Sequence, residues 1–284
     1  MQARATISTH ACGAFVARLT SLIEEIEAGL FVPQACEVLE AQEPLVAVQW
    51  RGAIVGRTRA HIAQAAHSLA GATFFEAHLE LPPDLGAFAL AMRAAGLSQG
   101  WRGEALDLHR LVDSASPEAP LGQLERALFR PIGATTRAVH FVGLTKYPRS
   151  SRERVFLIGL RSHKKRIGPG LWDGLAAGMV QAGESPKAAL LREAAEEAGL
   201  LRQVALTPIA HFLVSRPVPE GWMREVAEGA FAVLPEDFTP RAVDGEVERF
   251  ACVSAEELID LNEAHQMMHE AGLVCLKVAK RLFA

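Results

Sequence analysis

The feature that most constrains this chain is the stretch 178–200, GMVQAGESPKAALLREAAEEAGL. Ser185-Pro186 reads as an N-cap followed by proline at the first helical position, and Gly199 stands where a left-handed C-terminal cap is wanted. Those marks predict a helix over about 186–198. Within it, Glu193, Glu196 and Glu197 are spaced i, i+3, i+4, an arc of about 80° at ~100° per residue. Three neighbouring carboxylates repel one another and weaken an isolated helix. A divalent cation would neutralise them. Hard oxygen ligands with room for water and phosphate oxygens suit magnesium (Mg2+), with manganese (Mn2+) able to substitute. Ala188, Leu191, Ala195 and Ala198 form a separate face, expected to pack on a sheet. Arg192 is placed to orient Glu184 or Glu193. An acidic run alone usually means a solvated face; the flanking Gly178, Glu184, Arg192 and Gly199 argue for a metal site instead.

The rest of the composition is unremarkable and excludes several classes. Of 284 residues, 50% are hydrophobic, enough for a packed core. That length allows one large domain or two ordinary ones. The net charge of −4 gives no electrostatic footprint for nucleic acid or an anionic membrane. No apolar run reaches the ~18 residues that span a bilayer, and residues 1–30 lack a signal-peptide layout. Cys12, Cys36, Cys252 and Cys275 are far apart and form no CxxC pair, so neither a zinc site nor a disulfide framework is expected. A reducing, cytoplasmic setting follows as the expectation.

Along the chain, Phe15, Leu19, Leu22, Ile23 and Ile26 lie on one helical stripe. Residues 45–50 read as a strand that turns at Arg51-Gly52. Thr58 is expected to cap a helix to about Leu69, residues 75–81 to form a strand, and 85–95 a helix. The proline-containing break at 113–120 is followed by two apolar runs, 138–145 and 154–160, that read as a hairpin. Strand-like runs recur at 204–214 and 226–234, and a last helix starts at the capping box Ser254-x-x-Glu257. The boundary is expected between about 120 and 137, giving an N-terminal α+β domain over 1–130 and a second domain over 137–284.

The 178–200 stretch resembles the Nudix box, G-x5-E-x7-R-E-U-x-E-E-x-G-U, with U a bulky aliphatic residue. Gly178, Glu184, Arg192, Glu193, Glu196, Glu197, Gly199 and Leu200 fall in register, and Ala194 replaces the first U. The resemblance to Nudix hydrolases covers about 137–284. It implies an α/β (α+β) fold, an α/β/α sandwich with a mixed sheet, and hydrolysis of a diphosphate linked to another moiety, X. By this similarity Glu193, Glu196, Glu197 and the Gly178 carbonyl would hold magnesium, and the general base would be a box glutamate or one from a later loop. Arg161-Ser162-x-x-Lys165, Pro169-Gly170-x-x-Asp173, Leu234-Pro235-x-Asp237-Phe238-x-Pro240 and Asp244-Gly245-Glu246-Val247-Glu248 look like the subgroup that includes the Nudix half of fungal thiamine pyrophosphokinase. Val55-Gly56, Trp101-Arg102-Gly103-Glu104 and Val139-His140-x-x-Gly143 are similar to its upstream domain. This subgroup implies thiamine diphosphate, or its oxidised forms, as substrate and the monophosphate as product. The chain departs from it at Trp172, Gly174 and Ala176-Ala177.

These readings assign catalysis to Glu193, Glu196, Arg192 and Glu246, and substrate contact to Arg161, Lys165, Asp173 and Trp172. Arg161, Lys164, Lys165 and Arg166 form a basic cluster that can grip phosphate or be a solvated loop. Glu246 and Glu248 would share one strand face, as base, outer metal ligand or plain strand edge. Trp172 and Trp222 can stack on an aromatic ring or anchor the core. His265 and His269 are i, i+4 but lack an HExxH context, so a helix surface is expected. The main alternatives are a hydrolase of another nucleoside-diphosphate-X compound and a non-catalytic ligand-sensing module; intact box glutamates argue against the latter. An isomerase of the isopentenyl diphosphate type needs an active-site cysteine, and Cys252 lies well past the box. For the N-terminal residues, pocket shaping, a homodimer interface and partner binding all stay open.

Overall fold

The computed structural model describes residues 9–30, 45–75, 77–112, 114–116 and 118–284. The N-terminal half begins with helix α1 (Thr9–Leu30), followed by β1 (Leu45–Trp50), β2 (Ala53–Arg59), α2 (Ala60–Ala70), β3 (Thr73–Phe75), β4 (His78–Glu80) and α3 (Leu85–Ala94). A hairpin of β5 (Ala105–Leu108) and β6 (Gly122–Glu125) leads through a 3-10 turn into the short α4 (Phe129–Ile132). The expected strand over 75–81 is two short antiparallel strands, with Phe75 paired to His78. The helix after β2 starts at Ala60, and Thr58 does not cap it. Its hydroxyl donates instead to the Pro131 carbonyl at 2.6 Å, which ties β2 to α4. The sheet, in the order β2-β1-β4-β3, closes a core around Trp50, Phe88, Met92 and Phe129.

The second half contains β7 (Thr135–Leu144), β8 (Phe156–Arg161), β9 (Trp172–Asp173), β10 (Ala176–Met179), α5 (Pro186–Ala198), β11 (Thr207–Val218), β12 (Gly221–Val233), β13 (Val247–Val253), α6 (Ala255–Glu263) and α7 (His269–Phe283). The sheet runs β11-β12-β7-β8-β13, with β10 on β7 and β9 on β8. It is mixed: β7 and β12 are parallel, and the other pairs are antiparallel. The 138–145 and 154–160 hairpin pairs only at Gly143–Leu157 and Leu144–Phe156; upstream of that, β7 pairs with β10. Alternation divides the layers. Val139 and Phe141 face the core under α5, whereas Val142 and Leu144 face α6 and α7 on the other side.

Two helices follow Ser254. The capping box forms in full, with Glu257 N donating to Ser254 Oγ at 3.2 Å and Ser254 N donating to Glu257 Oε2 at 2.8 Å. His265 adopts a left-handed φ of 53° in the turn between α6 and α7, and His269 opens α7, so the two do not share one helix face. No helix among the described residues is long and apolar enough to cross a membrane. Cys252 and Cys275 are free thiols, Cys36 lies outside the described residues, and the Cys12 side chain does too.

The apolar stripe of α1 packs on α7, α6 and β11, where Leu19, Leu22, Ile23 and Leu30 are buried in the same core as Phe156 and Val274. The first helix of the chain therefore completes the sandwich layer built by its last helices. A Leu-to-Ala change at a fully buried site costs about 2–5 kcal/mol. Leu19→Ala is expected to lower the unfolding free energy by that amount in a denaturant titration, whereas the same change at the exposed Leu201 should move it by less than about 0.5 kcal/mol.

Candidate active site

The helix α5 forms as its sequence marks imply. Ser185 Oγ accepts from Ala188 N at 3.2 Å, Pro186 opens the helix, and Gly199 closes it at φ 73°. Its sheet-facing side is Ala189, Leu190, Ala194 and Ala198, whereas Ala188 is exposed. The expected apolar face is thus rotated, because Glu197 itself lies on the buried side. Ala194, where the box has a bulky residue, is completely buried beneath the sheet.

The three helix carboxylates occupy different environments. Glu196 is half exposed at 53%, Glu193 is largely covered, and Glu197 is 6% exposed. Arg192 ties the group together. Its Nε and Nη2 donate to Glu184 at 3.0 and 2.9 Å, Nη2 to the Met179 carbonyl at 2.9 Å, and Nη1 to Glu193 at 2.7 Å and Glu196 at 3.1 Å. Gly178 lies directly against the Glu193 carboxylate, and a Cβ there would overlap it. Glu197 accepts from Ala177 N at 3.0 Å and faces Lys165 Nζ at 3.5 Å. Burial, against the pull of Arg192, pushes the Glu193 carboxyl up to about 7. Burial, against the pull of Lys165, pushes Glu197 up to about 8.

A later loop completes the acidic group. Carboxylate oxygens of Glu197, Asp244 and Glu246 all lie within 4.8 Å of one another. Lys165 Nζ sits 2.6 Å from Glu246, and Arg102 Nη1 is 2.9 Å from the same carboxylate. Burial of Glu246 opposes its ionisation, but hydrogen bonds from Lys165 and Arg102 together outweigh it and hold the carboxyl at about 2. Glu248 does not share the face of Glu246. The register shifts between Val247 and Arg249, and Glu248 turns away to accept from His163 N at 2.9 Å. The donor chemistry fits a divalent cation: five carboxylates and the Gly178 carbonyl are hard oxygens, two of the carboxylates are buried at a desolvation cost, and Lys165 already stands between two of them as a positive charge.

Gly178, Glu193, Glu196, Asp244 and Glu246 line a cleft of about 680 Å³, with Glu197 buried beside it against Lys165. Of the residues expected to contact substrate, Arg161, Lys165 and Asp173 line it, with Arg161 Nη1 donating to Asp173 at 2.7 Å and Nη2 to the Ile167 carbonyl at 3.0 Å. Lys164 and Arg166 line it too. Trp172 does not. Its ring carries the Arg249 guanidinium at 5.1 Å and backs onto the sheet core, and its backbone bonds Gln266 and Met268. Trp222 is buried with Nε1 on Ser215 Oγ at 3.0 Å.

Sequence reasoning missed several lining groups. From the N-terminal half come Arg102, Glu104, Arg126 and Arg130; Glu104 adds repulsion to Glu193 and is paired to Arg126 at 2.8 Å. β5 also clamps the box loop directly: Ala182 N donates to the Ala105 carbonyl and Gly183 N to Asp107 Oδ2, each at 3.0 Å. From the sheet and α7 come His140, Glu225 and Glu270. The residues around Arg102 and His140 carried a signal in the resemblance; Glu225 and Glu270 carried none, because their strand and helix positions gave no reason to expect carboxylates in a cleft.

The fold and cleft define a class: an α/β/α domain whose sheet-covering helix presents carboxylates to a solvent-reaching cleft. Residues 140–271 match the model of the NUDIX domain. Among curated proteins it is similar to Nudix hydrolase 20, chloroplastic, of Arabidopsis thaliana, at 35% identity over 137 residues, and to Nudix hydrolase 24, chloroplastic, of the same plant, at 31% over 140 residues. The matches take in 48% and 49% of this chain but only 36% and 38% of those two relatives. Among solved structures, it resembles DR0079 from Deinococcus radiodurans, with a TM-score of 0.41 and 22% identity over 58% of this chain and 91% of that one. It also resembles the NUDIX domain of Shewanella oneidensis NrtR complexed with ADP ribose, with a TM-score of 0.41 and 16% identity over 52% of this chain and 89% of that one.

Glu225 offers a direct check of these environments. Burial raises its carboxyl to about 7, and Glu270 adds repulsion. A folded-state value above the ordinary one means its contribution to stability is complete below about pH 4.5 and lost as pH rises through about 7. Glu225→Gln removes that titration. Relative to wild type, the variant is expected to gain stability between pH 4.5 and 7.5, by on the order of 3 kcal/mol, in denaturant titrations at each pH. A gap that does not change with pH would show that Glu225 is not held in this way.

Proposed function

We propose that this protein is a magnesium-dependent hydrolase of diphosphate linkages, with thiamine diphosphate or one of its oxidised forms, cleaved to the monophosphate, as the favoured substrate. The observation that carries the general reading is the gathering of Glu193, Glu196, Glu197, Asp244 and Glu246 at one cleft that also contains Lys165, Arg161 and Arg102. The thiamine assignment rests on the subgroup-like residues 161–178 and 234–248. The names of the Arabidopsis relatives support the hydrolase class.

Glu193, Glu196 and Glu197 would hold the cation, with the Gly178 carbonyl, Asp244 and Glu246 as further oxygen donors. A divalent cation bound there supplies Lewis-acid neutralisation of charge on the diphosphate oxygens. Lys165, beside Glu197 and Glu246, and Arg161, paired to Asp173, would grip the phosphates. Arg192 keeps Glu193 and Glu196 in orientation through the contacts described. Water attacks one phosphorus in line. A new P–O bond forms, the bond to the bridging oxygen breaks, and the bridging oxygen leaves with the electron pair. A cleft carboxylate takes the proton from water. Glu246, while held by Lys165 and Arg102, is a weak base and a strong acceptor, so the helix carboxylates are better suited to the proton transfer. The ligand-sensing alternative lacks support from the site, since none of its carboxylates is replaced.

The test is turnover of the full chain on thiamine diphosphate, its oxo forms and nucleoside-diphosphate compounds such as ADP-ribose. Phosphate-ester products should appear with magnesium and vanish with a chelator. Glu196→Gln and Glu197→Gln should each lower kcat by on the order of 10²-fold or more, with an unchanged circular dichroism spectrum. Turnover of nucleotide compounds without thiamine diphosphate would shift the substrate, and no turnover of any compound would overturn the reading.

A further inference from the structure

The cleft has a second polar end, away from the carboxylates of α5. Thr136 and His140 reach it from one face of β7, Met223 and Glu225 from β12, and Met268 and Glu270 from the start of α7. The strand register places Glu225 beside Thr136, whose hydroxyl donates to it at 3.2 Å. No other side-chain hydrogen bond reaches the Glu225 carboxylate among the described residues, although it is 5% exposed. Glu270, 3% exposed, accepts from Arg216 Nη2 at 3.1 Å and keeps its remaining lone pairs. His140 is 9% exposed, and neither of its ring nitrogens has a partner. Burial holds its ring below the ordinary histidine range, so it is neutral and offers one donor and one acceptor.

Buried polar groups are nearly always paired, and each unpaired one costs about 1–3 kcal/mol. His140 holds two such unpaired nitrogens, and Glu225 and Glu270, each with one side-chain partner, keep lone pairs free in the same cleft lining, so a ligand would complete the site. The unmet capacity is mainly for accepting: Glu270, one imidazole nitrogen and Glu225 in its ionised form ask for N–H donors. Met223 and Met268 offer polarisable, adaptable surfaces that favour a flat aromatic ring. The Arg130 guanidinium, in the same cleft lining, offsets the negative charge of Glu225 through space.

We infer that this end of the cleft binds the organic moiety carried on the diphosphate, and that Glu225, Glu270 and His140 select a planar nitrogen heterocycle bearing an exocyclic amino group. This rests on the reading of the other end as a diphosphate site. The amino group donates to a carboxylate, a ring nitrogen meets the imidazole, and the ring lies against the methionines. A ligand with a carbonyl in place of the amine would set an acceptor against acceptors and leave the carboxylate unpaired. Sites built on hydrogen bonds reject such analogues far more strongly than apolar pockets reject a lost methylene.

The experiment is equilibrium binding to the full chain, by calorimetry with chelator present so that no turnover occurs. Two matched pairs serve as probes: thiamine diphosphate with oxythiamine diphosphate, and ADP-ribose with its inosine analogue. In wild type the amino member of at least one pair should bind ~10-fold or more tightly. In Glu225→Gln the ratio should fall toward one, and Glu270→Gln provides the same readout should the first variant fold poorly. Equal binding within both pairs, no binding of any probe at millimolar concentration, or an unchanged ratio in both variants would overturn the inference. Because no chemistry is measured, discrimination without turnover would sink the hydrolase reading alone, and turnover without discrimination would sink this one alone.

Discussion

The site depends on the guanidinium of Arg192. One side chain grips Glu184 with two nitrogens, the Met179 carbonyl with one of them, and Glu193 and Glu196 with the third. It therefore joins the strand end at Met179, the loop at Glu184 and the helix carboxylates into one unit. Lysine has no planar fork and could satisfy only part of that set. The repulsion among the acidic residues is compensated twice, by Arg192 at the solvent side and by Lys165 at the buried side, where Glu197 and Glu246 converge. A site charged in this way keeps its shape while still offering oxygens to a cation.

The halves of the chain are interlocked around that unit. β5 takes the backbone N–H groups of the box loop on Ala105 and Asp107, Arg102 reaches Glu246, and α1 covers the far face of the sheet. The N-terminal residues thus do more than accompany the larger sheet. They form one wall of the cleft, and that wall carries most of the basic groups not already present in the loop 161–166.

Much of the site was legible because helix chemistry is local. Ser185-Pro186 and Gly199 set the ends of α5, and a fixed rotation per residue placed Glu193, Glu196 and Glu197 together. The same logic misjudged the helix's buried side, since which neighbouring face meets the sheet depends on tertiary contacts, and Glu197 was drawn inward by Ala177 N and Lys165. Strand reasoning failed where pairing is irregular: the bulge at Glu248 separates it from Glu246, and Thr58 spends its hydroxyl on Pro131 instead of a helix end. Trp172 looked like a stacking residue, but its own backbone pairing with Gln266 and Met268 turns the ring toward the core. Glu225 and Glu270 were invisible because their place in the cleft lining with Thr136 and His140 is created by a parallel strand pairing and by the start of a helix over a hundred residues further along the chain, neither of which any local pattern encodes.

The central claim is that these carboxylates jointly hold one or more divalent cations. Electron paramagnetic resonance of added Mn2+ measures this directly, because bound manganese loses the sharp signal of the free ion. Titrated into the wild-type chain at neutral pH, Mn2+ should show saturable binding that magnesium displaces, and Glu197→Gln should weaken it by ~10-fold or more. A free-ion signal that rises in proportion to added Mn2+, identical in wild type and variant, would contradict the account.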